Sequence, residues 1–285
     1  MPTLETCDPL DARQFALAVR RLADSLSYGT DHSPFRGSGI EYVQSRLYQE
    51  GDPIKAIDWR VTARTGRAHI KEYEAPKRMP VFFFVDTSAS MTVGSQALTK
   101  YAWAVQIAGG LAFACLDRVS PVGVVGAGER PVRVVPSLSR VQIMQWLHEL
   151  RYFRYDERTT LSGKLSEVSC SLPHRAFFVV LSDLHDPGAL SALKLCGQRH
   201  DVAVVQLRDP AEMPVRGAGF HLVREAETGA TFLSQGRRTI LAQEEIAASL
   251  RGAGVDHLLL PIDQPVVAPL RQFFQFRGGF ARAAR

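Results

Sequence analysis

Short apolar runs with no polar side chain recur along the sequence: Val81-Phe82-Phe83-Phe84-Val85, Phe177-Phe178-Val179-Val180-Leu181 and Val202-Ala203-Val204-Val205. A strand with one wet face alternates polar and apolar residues, because successive side chains point to opposite sides. Runs that do not alternate are dry on both sides, so they belong to a sheet covered by helices on each face. Strands are expected over 81–85, 121–125, 131–135, 176–181, 202–207 and 256–260. Helices are expected between them, over about 95–117, 139–151, 160–169, 187–199 and 238–251. That alternation predicts an α/β fold with a central, mostly parallel sheet flanked by helices. Residues 219–223 and 229–234 read as a small edge hairpin around Thr228-Gly229.

Outside that region the pattern changes. Phe15, Val19, Leu22 and Leu26 fall on one face of a helix over 11–27. Residues 29–53 carry Gly29, Gly37, Gly39, Gly51 and Pro53 and read as an irregular excursion with short extended pieces. Residues 54–80 hold seven basic and three acidic side chains, with a faint strand over 67–74. Here Asp58 is expected to pair with Arg60 or Arg64, and Trp59 to serve as an apolar anchor. The segment either straps the extension onto the core or, through Trp59, Arg60, Arg64 and Arg67, meets an acidic protein patch. Asp58, Glu72 and Glu74 interrupt it, which makes it a poor phosphate track, and no nucleic-acid partner is expected. The expected division is residues 1–80 as N-terminal helix and extension packed on the core, 81–262 as the main domain, and 263–285 as a basic, aromatic tail. Phe273, Phe274 and Phe276 of that tail would dock, with Gly278-Gly279 and the last arginines frayed.

A hydrophobic fraction of 46% over 285 residues supplies a full core. The net charge of +5 and isoelectric point near 9.2 permit an acidic partner without specifying one. Cys7, Cys115, Cys170 and Cys196 form no CxxC pair and read as free cytosolic thiols. The start of the chain lacks a signal-peptide pattern and no apolar string is long enough for a membrane span, so a cytoplasmic location is expected.

The strand at 81–85 runs directly into Asp86-Thr87-Ser88-Ala89-Ser90. One carboxylate and alternate serines at a strand's carboxyl end are hard oxygen donors, suited to Mg²⁺, with Mn²⁺ or Ca²⁺ as substitutes. The strand at 176–181 ends in Ser182-Asp183-Leu184-His185-Asp186, where Asp183 is the natural second carboxylate. Thr159 or Thr160, opening the helix that includes Leu161 and Leu165, is a further hydroxyl donor. Such a set leaves a coordination position for water or for a partner's acidic side chain. The plainer alternatives are that Asp86, Ser88 or Thr159 merely cap helices and that His185 is a surface or supporting residue. No P-loop, His-Glu-x-x-His or Gly-x-Ser-x-Gly motif occurs, and Gly123–Gly128 fits a turn between strands better than a dinucleotide site. A non-catalytic role is therefore expected. The competing reading is a Mg²⁺-dependent hydrolase using Asp86 and Asp183, with Asp186 and His185 beside them.

Asp86-x-Ser88-x-Ser90 resembles the metal-ion-dependent adhesion site of von Willebrand factor A-type domains. More specifically, Tyr48-Gln49-Glu50-Gly51-Asp52-Pro53-Ile54-Lys55-Ala56-Ile57-Asp58-Trp59-Arg60, Thr62–Gly66, Lys71–Glu74 and Phe84–Met91 resemble the bacterial family called domain of unknown function 58. The resemblance implies an A-type, Rossmann-like domain with an N-terminal extension. It implies metal ligation by Asp86, Ser88, Ser90, Thr159 and Asp183, with Arg158-Thr159-Thr160-Leu161 standing where the family has Gly-Thr-Asp-Leu. It also implies a MoxR-type AAA+ ATPase partner, or a client, in assembly, maturation or stress response.

Overall fold

A computed structural model describes residues 12–27, 41–49, 57–74, 79–117, 119–152, 156–212, 221–224, 231–234 and 243–280. Six strands form the central sheet: β3 (Val81–Val85), β4 (Val122–Gly126), β5 (Arg133–Ser137), β6 (Phe177–Ser182), β7 (Asp201–Arg208) and β10 (Asp256–Pro261). Their order across the sheet is β10-β7-β6-β3-β4-β5, parallel throughout except for β5, which pairs antiparallel with β4 at one edge. The α/β class and mostly parallel sheet expected from the apolar runs are what the chain forms. Every residue of β3 and β6 is buried, because helices cover both faces.

On one face, α6 (Leu161–Ser171), α7 (Ala189–Arg199) and α8 (Gln243–Gly252) bury Leu161, Leu165, Leu193 and Leu250 against Phe82, Phe84, Phe178 and Val204. The opposite face is covered by α4 (Lys100–Asp117), with α1 (Ala12–Ser27), α5 (Arg140–Leu150) and α9 (Val267–Phe280) around it. Almost every residue of α4 is buried, the mark of a helix surrounded by protein. Its two glycines make that possible. A Cβ on Gly109 would lie 2.8 Å from Val19 and 2.9 Å from Leu147, and one on Gly110 would lie 2.9 Å from Leu22. The pair lets α1 and α5 approach the α4 backbone.

Two compact units are distinguished: residues 1–34 with 79–285, and residues 35–78. In the second, β1 (Glu41–Leu47) pairs antiparallel with β2 (His69–Glu74), and α2 (Trp59–Thr65) lies between them in sequence. Asp58 is the N-cap of α2. Its carboxylate accepts from the Arg60 and Val61 N–H groups at 3.1 and 3.2 Å and from Ser45 Oγ at 2.7 Å. Gly66, at φ 68°, ends the helix in the left-handed conformation. Asp58 therefore holds the start of α2 through backbone N–H groups. Trp59 is 69% exposed. Residues 50–56 of the family-like stretch lie outside the described residues, as do the turn between β8 (His221–Arg224) and β9 (Thr231–Ser234) and residues 281–285. Residues 267–280, read from sequence as a tail, form α9, with Phe274 buried. Cys115 and Cys196 are buried and Cys170 is exposed, none of the three in a disulfide.

Candidate metal centre

The carboxyl ends of the parallel neighbours β6, β3 and β4 lie side by side at one end of the sheet. Backbone bonds tie them together: the Asp86 N–H donates to Leu181 O and the Ala127 N–H to Val85 O, at 2.9 and 2.8 Å. After β3 the chain turns through Ser88 into the short α3 (Ala89–Thr92). Asp86 is fully buried. Its Oδ1 accepts from the Ser88 N–H at 3.1 Å and its Oδ2 from Ser182 Oγ at 2.6 Å. Ser88 occupies the N-cap position of α3 but makes no side-chain capping bond; its hydroxyl faces that of Ser90 at 3.0 Å. The simple capping reading of Ser88 therefore fails.

A third segment, 157–160, is clamped across these loops. Glu157 O accepts from the Ala89 N–H at 2.7 Å, and the Thr160 N–H donates to Ala127 O at 3.0 Å. The buried Glu157 carboxylate accepts from Thr87 Oγ1 at 2.7 Å and from the Arg130 N–H and Nε at 3.0 and 2.7 Å. Arg130 in turn donates to Tyr101 Oη and Tyr152 O. Gly128 leaves room for this clamp: a Cβ there would sit 2.1 Å from Glu157 Oε1 and 2.2 Å from Thr87 Oγ1. The clamp separates the two threonines. Thr160 Oγ1 donates to Gly128 O at 2.7 Å, whereas Thr159 Oγ1 is buried with no partner among the described residues. A buried hydroxyl without a partner is costly and marks a place where a ligand would satisfy it.

Asp183 follows β6, and the next residue, Leu184, holds a left-handed φ of 62°, a conformation costly for a branched side chain. The backbone is pinned there by the Leu184 N–H on Ser182 Oγ at 2.9 Å and by Gln206 Nε2 on Asp183 O at 3.2 Å. Asp183 Oδ2 accepts from Lys100 Nζ at 2.7 Å and faces His185 Nδ1 at 3.1 Å. Lys100 also contacts Glu212 Oε1. Burial raises Asp86, and the charge of Asp183 raises it further, to about 7. Asp183 goes the other way. Burial works against its ionised form, but the His185 hydrogen bond and the Lys100 charge outweigh burial and lower its pKa. Two carboxylates sharing one dry corner are thus pushed apart in acidity, as expected when like charges are forced together.

Asp86, Ser88 and Ser90 are one contiguous cluster. Asp183 is close enough for its charge to act on Asp86. Thr159 lies on the segment hydrogen-bonded to the same loop. These residues suit a divalent ion by chemistry: hard oxygens, two buried carboxyl groups and a partnerless hydroxyl. Asp183, His185 and Glu212 are a further possible metal-holding group, with ligand atoms within 4.8 Å of one another. The Lys100 ammonium already lies against two of its three members, so an ion there would have to displace it. Asp186 does structural work. Its Oδ2 accepts from the Ser162 N–H at 2.7 Å and its Oδ1 from the Gly188 N–H at 2.8 Å, capping the starts of α6 and α7. Sequence reasoning missed Lys100, Glu157 and Glu212. The available signal for Lys100 was a lysine opening an otherwise apolar helix.

A family model described as "Protein of unknown function DUF58" matches residues 44–250. The uncharacterized proteins Rv1480 of Mycobacterium tuberculosis and Mb1516 of Mycobacterium bovis are each 25% identical over 279 residues, covering 93% of this chain and 88% of theirs. Among solved structures, the PilB minor pilin of Streptococcus sanguinis aligns with a TM-score of 0.42 and 10% identity over 78% of this chain and 67% of that one. The Deinococcus radiodurans RO (RSR) protein aligns at 0.36 and 15% over 95% and 49%. No helix among the described residues is long and apolar enough to cross a membrane.

Proposed function

We propose, starting from a chain that belongs to the DUF58 family matched over residues 44–250, a metal-dependent protein-docking module of von Willebrand factor A type. In this reading Asp86, Ser88, Ser90, Thr159 and Asp183 hold one Mg²⁺. The ion, when bound, supplies a Lewis-acidic point that takes a carboxylate from a partner protein. Ser88 and Ser90 contribute neutral oxygens, so the ion keeps its appetite for an external anion. Thr159, held by the Glu157–Arg130 clamp, completes the protein side. The observation that carries the reading is the buried, partnerless Thr159 hydroxyl on a segment bonded to the Asp86–Ser90 loop. By the resemblance of residues 37–91 to the family, the partner proposed is a MoxR-type AAA+ ATPase or its client.

The hydrolase reading asks Asp186 and His185 to act beside the ion. Both Asp186 oxygens are committed to helix starts, which favours docking over catalysis. The deciding experiment is a pull-down from the native host in Mg²⁺ and in EDTA, comparing wild type with Asp86→Ala. Docking requires a partner that is retained in Mg²⁺, released by EDTA and lost in the variant. A partner set indifferent to both changes would refute it.

A further inference from the structure

Lys100 is the charged group that ion binding leaves unexplained. It opens α4 with a fully buried side chain. Its ammonium touches Asp183 Oδ2 at 2.7 Å and Glu212 Oε1, the latter on a side chain 25% exposed in the turn after β7. A buried ammonium is tolerated when carboxylates pair with it, so these two contacts fix where it sits. Asp183 thereby faces Lys100 and the His185 ring on Oδ2, at 2.7 and 3.1 Å, and the ion proposed beside Asp86. Its Oδ1 accepts a longer bond, 3.3 Å, from the His185 N–H.

We propose that Lys100 is a specificity-determining residue: by holding one oxygen of Asp183 and cancelling one negative charge, it keeps the bound divalent ion electron-poor enough to take a carboxylate from outside. This rests on the docking reading above. With the ion in place of the Asp86 proton and His185 neutral, Asp86, Asp183 and Glu212 are three negative charges, and Lys100 offsets one of them. A divalent ion then balances the site. Without the ammonium the loaded site stays anionic; the protein grips the ion harder and repels an acidic ligand. The same lysine excludes an ion from the Asp183–His185–Glu212 group, because it contacts both of its carboxylates.

Crystals of the wild-type chain grown with Mn²⁺ and acetate test the geometry. The expected result is an anomalous peak beside Asp86, Ser88 and Ser90, an acetate oxygen on the ion, and Lys100 Nζ still on Asp183. A peak among Asp183, His185 and Glu212 with Lys100 displaced overturns the proposal. Calorimetry tests the energetics: Lys100→Met should bind Mn²⁺ about tenfold tighter, and acetate should displace ion-bound water about tenfold less readily, read by water-proton relaxation. Equal or weaker Mn²⁺ binding by folded Lys100→Met overturns it. Removing one member of a buried pair can prevent folding, so Lys100→Met/Glu212→Gln, which preserves the overall charge balance, is the second variant. With that balance kept, it should bind Mn²⁺ within about twofold of wild type, and binding about tenfold tighter than wild type overturns the proposal. Failure of the docking reading looks different. Wild type would then bind Mn²⁺ no better than Asp86→Ala, and the inference would fall with it.

Discussion

Asp86 sits in a dry corner where burial, then the charge of Asp183, push its pKa from 3.8 up to about 7. The sign follows from linkage. The protonated acid favours the folded state, so its contribution is complete below the unfolded value and is lost as pH rises through about 7. Urea titrations of the ion-free protein should show stability falling from this group as pH rises from 3.8 to about 7. Stabilisation by Mg²⁺ should grow over the same interval, because the ion displaces the proton. A Mg²⁺ effect independent of pH would mean the ion does not meet Asp86. His200 behaves oppositely. Its ring stacks on Phe178 at 4.5 Å, accepts from the Ala176 N–H on Nδ1 and faces Ser169 O with Nε2, so the neutral tautomer fits. Burial lowers its pKa, and its stabilisation is lost as pH falls through that lowered value; His200→Phe should flatten this acid limb of the same titration. At this scale Asp86, Ser88 and Ser90 were legible, since they follow one another at a strand end. Lys100 was not, because its partners lie 83 and 112 positions away and no local spacing announces them.

Between loops, the Glu157–Arg130 clamp decides whether Thr159 is presented at all. Gly128→Ala puts a methyl into the Glu157 carboxylate and the Thr87 hydroxyl, so it should lower stability by about 1–3 kcal/mol. It should also weaken Mg²⁺ binding, checked by thermal melting with and without the ion. Gly110→Val should separate α1 from α4, costing a similar ~1–3 kcal/mol by overpacking while leaving ion affinity near wild type, since Leu22 is the side chain it strikes. The sheet strands and their intervening helices were legible because unbroken apolar runs have few alternatives. Helix α4 starts at Lys100 and not near 95, because Ser95 is bound through its N–H and Oγ to Asp209 at 2.8 and 2.6 Å, a tertiary tie no helical pattern reveals. Helix α2 did carry a signal, Asp58 before it and Gly66 after it, a cap at each end that its seven residues made easy to overlook. Helix α9 was obscured by Gly278-Gly279 near its end, residues of low helix propensity.

For the whole molecule, the sheet is held by apolar burial on both faces, with Phe83, Phe84, Val179 and Val205 fully enclosed. Chelation should therefore leave the far-ultraviolet circular dichroism unchanged while abolishing partner binding; loss of helix and strand signal in EDTA would show the ion to be structural. The fold class was readable from the sequence because this burial imposes itself residue by residue. The loop cluster was readable only in outline, because its geometry depends on which strands become neighbours. That neighbourhood has a kinetic consequence. Ser182 reaches Asp86 from 96 positions away, across the β3–β6 pairing at the middle of the sheet. Contacts so distant in sequence close late during folding. Recovery of cation affinity in a refolding chain would serve as a clock for the moment those two central strands lock into register.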